Sequence, residues 1–289
     1  MTEIIIFIFV VLLYLAAAIA GILQLLTGGE KYKRLLLPLV SLAVTLEAVI
    51  LIFRAIAIKA IPLTGLFESM IVLTIVFALI YLFFSIAIQQ VWFGSVMVWV
   101  ILAMILMAGI VAKPASEPLA AAATPWAIAH GIAMILGGAS ITFATASAFL
   151  YLLGRHRLKQ KKVMQVLGRV PNIEMLERMN LFGIRAGFVL ITIGLISGLG
   201  LALVKSSTLE ISALDWLTDA KIVLIAAAWV LLGTILAGRR MVAFKGNMTA
   251  YMTMAAFFLI LFALVGVTVF CGTKHDFTKS AVKTVEVRE

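Results

Sequence analysis

Eight stretches of the chain are apolar for long enough to cross a bilayer, and polar segments of varying length separate them. Spanning takes roughly 20 apolar residues in a helix. The runs cover residues 4–26, 35–57, 66–88, 91–112, 127–153, 182–204, 220–236 and 248–270. The seventh is the shortest, with Asp219 and Lys221 at its start. A backbone facing lipid must satisfy its own hydrogen bonds, so each run predicts a helix. The expected fold is therefore all-α: a polytopic transmembrane bundle of about eight spans. Acidic Glu3 precedes the first run and no small-residue cleavage pattern follows it, which predicts a retained span and not a removed signal peptide.

Composition supports this reading. Of the 289 residues, 64% are hydrophobic, and mean hydropathy is +1.19. A soluble domain runs nearer ~45–50% apolar. The formal charge of +10 raises the question of a nucleic-acid partner. The basic residues lie between the apolar runs and form no single stripe, so they predict membrane topology and no nucleic acid. Lys31, Lys33 and Arg34 follow the first run. Arg155, Arg157, Lys159, Lys161, Lys162 and Arg169 follow the fifth, and Arg239, Arg240 and Lys245 follow the seventh. Segments after even-numbered runs carry only scattered lysines such as Lys59, Lys113 and Lys205. Basic loops stay cytoplasmic, which predicts a multi-pass plasma-membrane protein with both termini extracytoplasmic.

The longest inner segment, residues 154–180, opens with the basic cluster and then regains helical patterning. Asn172 is an expected N-cap with Glu174 and Glu177 behind it, and a short amphipathic helix at the inner interface is expected before the sixth span. The polar tail beyond Lys274 is expected to be loose. No internal repeat is visible, so residues 1–289 read as one transmembrane domain. The single cysteine, Cys271, excludes an internal disulfide and any CxxCH site within the chain.

Topology gathers the unusual polar residues on the outer side. His130 falls at the outer end of the fifth run and His275 just past the outer end of the eighth. His156, the third histidine, sits in the inner basic cluster and reads as a solvated or headgroup-contacting residue. The outer segment 206–219 holds Asp215, Trp216 and Asp219. Two neutral imidazoles on opposite sides of an iron suit a bis-histidine haem, whereas zinc asks for three or four ligands. The plainer alternative is a pair of interfacial histidines hydrogen-bonded locally. No constellation for nucleophilic or acid–base catalysis is evident. Trp92 and Trp126 lie at span ends and fit an interfacial belt, whereas Trp216 in a polar segment does not. Glu47, midway along the second run, costs several kcal/mol in the membrane unless partnered. Arg54, two turns on, is either its partner through water or an interfacial snorkeller. Glu68 opens the third run, where a carboxylate complements a helix N-terminus.

Several segments resemble the haem-handling membrane proteins of cytochrome c assembly, the CcsA/ResC and HemX group with the tryptophan-rich WWD signature. Pro62-Leu63-Thr64-Gly65-Leu66-Phe67-Glu68-Ser69 is similar to the family's P-L-[ST]-N-L-[YF]-E-S. Trp126 to His130 is similar to its W-x-x-x-H, and Leu190–Gly198 to its L-T-I-G-[IL]-x-[ST]-G span. Trp216, Asp219 and Lys221 match W-x-W-D-x-K, Trp229 matches a later tryptophan, and Lys274-His275-Asp276-Phe277 resembles the closing L-H-S-Y-G-F. The resemblance follows family order from about residue 35 to 277. Thr218 stands where the second tryptophan of the signature is expected, and Ile222 replaces a usual glutamate. The family's two membrane histidines are replaced by Glu47 and Ala237.

The resemblance implies a haem-binding membrane protein of cytochrome c biogenesis, presenting b-type haem at the outer face for attachment to apocytochrome c. It implies His130 and His275 as axial ligands, Trp216 and Asp219 as the platform, and Lys221 and Arg54 as contacts to haem propionates. It also implies a ResB-type membrane partner and, through the missing membrane histidines, no histidine-held haem inside the bilayer. Two other readings stand beside it. One is a HemX-like regulatory or scaffolding protein of haem synthesis that docks through residues 154–180. The other is a secondary transporter built around Glu47.

Overall fold

The computed structural model describes residues 2–27, 30–59, 65–87, 91–111, 125–159, 172–209, 218–241 and 244–271. Regular structure among them is entirely helical: α1 (Thr2–Thr27), α2 (Glu30–Ile58), α3 (Leu66–Ala87), α4 (Val91–Val111), α5 (Pro125–Lys159), α6 (Ile173–Leu209), α7 (Ala220–Arg240) and α8 (Gly246–Leu261). The last continues as a π-helix, Phe262–Cys271. Eight of these helical units are long and apolar enough to cross a membrane. Large apolar side chains such as Phe83, Ile110, Leu203 and Phe258 stay exposed on them, as expected where lipid is the solvent.

The helices form two neighbouring groups of four. In the first, α1 packs on α2 and α4, and α3 closes the ring against α2 and α4. In the second, α5 packs extensively on α6, α8 packs on α5 and α7, and α6 touches α7. The α3–α5 contact joins the groups. Two apolar clusters fill the bundle, and the first reaches into the second group through Phe143, Leu150, Leu176 and Ala250. Tyr14, Phe77, Phe93, Met97 and Ile101 belong to the first, and Ile141, Ile184, Ile191, Leu232 and Ile235 to the second.

Lipid supplies no hydrophobic drive between helices, so close packing of small residues must hold them together. The α5–α6 pair depends on it. A Cβ at Gly183 would lie 2.7 Å from the Ser140 carbonyl oxygen and 2.8 Å from the Ala144 Cβ, so only glycine permits this approach. Nearer the other end of the pair, Gly200 lets the Trp126 ring lie flat against α6, where a Cβ would come within 2.7 Å of it.

Two expectations need correction. Among the described residues no separate amphipathic helix precedes the sixth span: α6 runs unbroken from Ile173 to Leu209. Nothing between Arg178 and Phe182 interrupts helical backbone bonding, and Asn180 is buried, accepting from Thr253 Oγ1 at 3.2 Å. Asn172 does cap this helix, taking the Glu174 amide at 3.1 Å. In addition, the final span does not finish as a regular α-helix. Its last ten residues widen into the π form.

Candidate functional site

Alternating crossings bring the starts of α1, α3, α5 and α7 to one end of the bundle, together with the ends of α2, α4 and α6. In the first group, Arg54 near the end of α2 donates from Nε and Nη2 to Glu68 Oε1 at 3.1 and 3.0 Å. Its Nη1 reaches Glu3 Oε2 at 3.4 Å. Glu68 is fully buried. The guanidinium thus ties α1, α2 and α3 together, a charge-assisted arrangement that suits arginine better than lysine. Lys59, one residue past α2, stops that helix with a left-handed φ of 52°.

Arg54 is thus engaged by Glu68 and Glu3, and Glu47 has a direct partner of its own. Glu47 is fully buried and accepts from the Tyr14 hydroxyl at 2.9 Å. Its Oε1 has no hydrogen-bond partner among the described residues. Sequence spacing suggested Arg54 because both residues lie on α2. The tyrosine comes from α1, and no spacing rule within one helix reaches it.

In the second group, His130 lies in the second turn of α5 and is half-buried. Its Nδ1 is 2.7 Å from the Gly194 carbonyl oxygen on α6. A carbonyl can only accept, so Nδ1 carries the proton and the ring's lone pair sits on Nε2. A bond of this kind, from one ring nitrogen to a backbone carbonyl, orients an imidazole and fixes its tautomer. Trp126, one turn earlier, is 46% exposed while its ring rests on Gly200. Trp229 donates to Thr192 Oγ1 at 2.7 Å and stacks on Phe188 with centroids 5.4 Å apart. That contact anchors α7 to α6.

Asp219 is the N-cap of α7, its carboxylate accepting the Lys221 amide at 2.9 Å. Lys221 occupies the first turn, where the helix dipole disfavours a cation. It lies within Coulombic reach of the His130 ring. The structure thus brings His130, Asp219 and Lys221 to one end of the second group and puts Arg54 at the same end of the first. Trp216 and His275 lie outside the described residues, the latter four positions beyond the end of the π-helix at Cys271. Among the described residues, no three or more His, Cys, Asp or Glu side chains group to hold a metal ion. Haem asks less of the protein: one orientable imidazole per axial position. His130 meets that requirement.

Eight helices long and apolar enough to cross a membrane define a multi-pass membrane protein. A scan of protein families matches residues 63–274 to the cytochrome c assembly protein family. The chain belongs to that family, and membership carries a role in cytochrome c biogenesis, with haem handling and interaction with apocytochrome c. Comparison with curated proteins returns no match.

Proposed function

We propose that the protein holds b-type haem at the extracytoplasmic rim of the bundle and presents it for attachment to apocytochrome c. One observation carries this reading: the 2.7 Å bond from His130 Nδ1 to Gly194 O, which turns Nε2 into an oriented lone-pair donor. His130 serves as one axial ligand and His275 as the other. Lys221, in the first turn of α7 and within Coulombic reach of the His130 ring, serves as the cation for a propionate. Asp219 supports Lys221 by fixing the start of α7, and Trp216, three residues before Asp219, supplies an aromatic face. Arg54 acts from the neighbouring group, where the Glu3 and Glu68 carboxylates hold it in place. A ResB-type membrane partner completes the assembly.

The attachment chemistry joins apocytochrome thiols to the haem vinyl groups. It depends on reduced iron and positioning, and this chain's contribution is to orient the cargo. The basic segments between spans support an outward-facing rim through the positive-inside rule. Purification from haem-replete cells followed by reduced-minus-oxidised spectroscopy tests the proposal. Wild type should show a six-coordinate low-spin b-type spectrum, and His130→Ala should lose most bound haem, with partial rescue by imidazole. Equal haem in wild type and a His130→Ala/His275→Ala variant refutes it. If haem output instead follows changes in residues 154–180 while both histidines are dispensable, the regulatory reading takes its place.

A further inference from the structure

One face of α6 packs on α5 through Gly183 and Gly187, and the opposite face is open. Exposed positions recur along it every three or four residues: Phe182, Arg185, Val189, Ile193, Ile196 and Leu203. Arg185 is the only charged residue between 182 and 203. Every other lysine and arginine of the described helices falls within two turns of a helix end.

The depth of Arg185 follows from its neighbours. The 2.6 Å ion pair between Glu177 and Arg239 marks the basic end of the bundle. Arg185 is eight residues deeper on α6, about 12 Å along the axis. On α5 the same level falls at Ser140 and Ile141, midway between Trp126 at one rim and Arg155 at the other. Ionisable groups at such depth face the bundle interior or a water-filled cavity and are paired. Arg178 and Arg239, nearer the rim, are indeed held by Glu174 and Glu177. Arg185 is exposed instead, and it forms no hydrogen bond or ion pair with any described residue. Snorkelling toward the rim recovers only part of the distance, and a guanidinium cannot escape by losing its proton.

We propose that this open face of α6 docks a transmembrane helix of a second, different protein, one that carries an aspartate or glutamate at the depth of Arg185. A planar guanidinium takes a carboxylate through two parallel hydrogen bonds. Polar contacts of that kind hold helices together in lipid, where apolar surface alone gives no drive. A second copy of this chain does not supply the carboxylate. Within its described helices Glu47 is fully buried, and the remaining acidic residues lie at or near helix ends. The inference stands apart from the haem reading, since it uses no residue of the His130 rim.

The test puts photoreactive p-benzoylphenylalanine in place of Val189, one turn along the stripe, in the full-length protein in its native membrane. A second sample carries it in place of Leu79, an exposed position of α3. Irradiation should give one discrete adduct with another protein from position 189 and none from position 79. The captured protein must have a membrane span with a carboxylate at the matching depth, and one without it overturns the proposal. Arg185→Leu should lower the adduct yield at least about tenfold, as expected when a desolvated charge pair loses one member. Arg185→Glu combined with arginine at the partner's carboxylate should restore it. Since Arg185 pairs with nothing in its own chain, purified Arg185→Leu should resist unfolding in detergent as well as wild type does. A loss of stability there means an intramolecular role and overturns the proposal. Adducts to lipid alone, with bound phosphatidylglycerol lost in Arg185→Leu, mean that a phosphate serves the guanidinium and overturn it too. So does an adduct made only of two copies of this chain, or a yield unchanged by Arg185→Leu.

Discussion

Replacing Gly183 by alanine probes the contact on which the whole second group depends. The added Cβ would sit 2.7 Å from Ser140 O, 2.8 Å from the Ala144 Cβ and 3.0 Å from the Ala144 amide nitrogen. Two of these atoms are backbone, so no rotamer change relieves the clash. Ordinary contact begins near 3.4 Å, and α5 and α6 must therefore separate by about 0.7 Å at this level. Overpacking of this size costs about 1–3 kcal/mol. Alanine also gains up to about 1 kcal/mol of helix propensity over glycine, which complicates a single measurement. Gly131 removes the complication, because a Cβ there meets nothing within 4 Å. Gly131→Ala collects the propensity gain alone, so the difference between the two variants isolates the packing cost. Reversible unfolding of each variant in mixed micelles, titrated with a denaturing detergent, measures that difference. Gly183→Ala should fall below Gly131→Ala by about 1–3 kcal/mol. If the two variants unfold together, the close approach is not what binds α5 to α6.

Two further substitutions separate roles that the structure places on single residues. Tyr14→Phe leaves the Glu47 carboxyl without its donor and should destabilise the first group by about 1–3 kcal/mol; the Tyr14→Phe/Glu47→Leu double variant should recover most of that loss, and a double variant worse than either single would refute the pairing. Asp219→Ala should cost about 1 kcal/mol through the lost cap of α7, whereas Asp219→Asn keeps a side-chain acceptor for the Lys221 amide. Cytochrome c maturation that survives in Asn but falls in Ala assigns Asp219 to capping. Loss in both assigns it a direct electrostatic part.

The eight spans were legible because bilayer thickness imposes a length and lipid imposes an apolar surface. Neither depends on knowing which helices touch. Asn172 was legible for a similar reason, since an N-cap is a local event. What stayed hidden came from pairings between helices. The Glu47 carboxyl finds Tyr14 on α1, and Arg54 finds Glu68 and Glu3 across two helix boundaries. The continuity of α6 was missed because a polar residue, Asn180, was read as the end of a loop. Its amide is instead buried against Thr253 of α8.

His130 shows where the division lies. Its residue type and its place at a span end already mark it as a candidate ligand, but an imidazole at an interface is equally at home making a local bond. The distinguishing fact is which nitrogen makes that bond and to what. Gly194 provides a carbonyl, shared with the Ser197 hydroxyl at 3.1 Å, on a helix face that glycine and alanine keep close to α5. The acceptor fixes Nδ1 as the protonated nitrogen and leaves the lone pair on Nε2. Under the proposed haem reading, the packing stripe and the ligand chemistry are one arrangement. Any change that moves α6 away from α5 should alter the coordination spectrum before it unfolds the protein. Bound haem in the Gly183→Ala variant, compared with Gly131→Ala at matched folded fraction, checks this. A variant with α5 and α6 separated and an unaltered low-spin spectrum would break the link between the two.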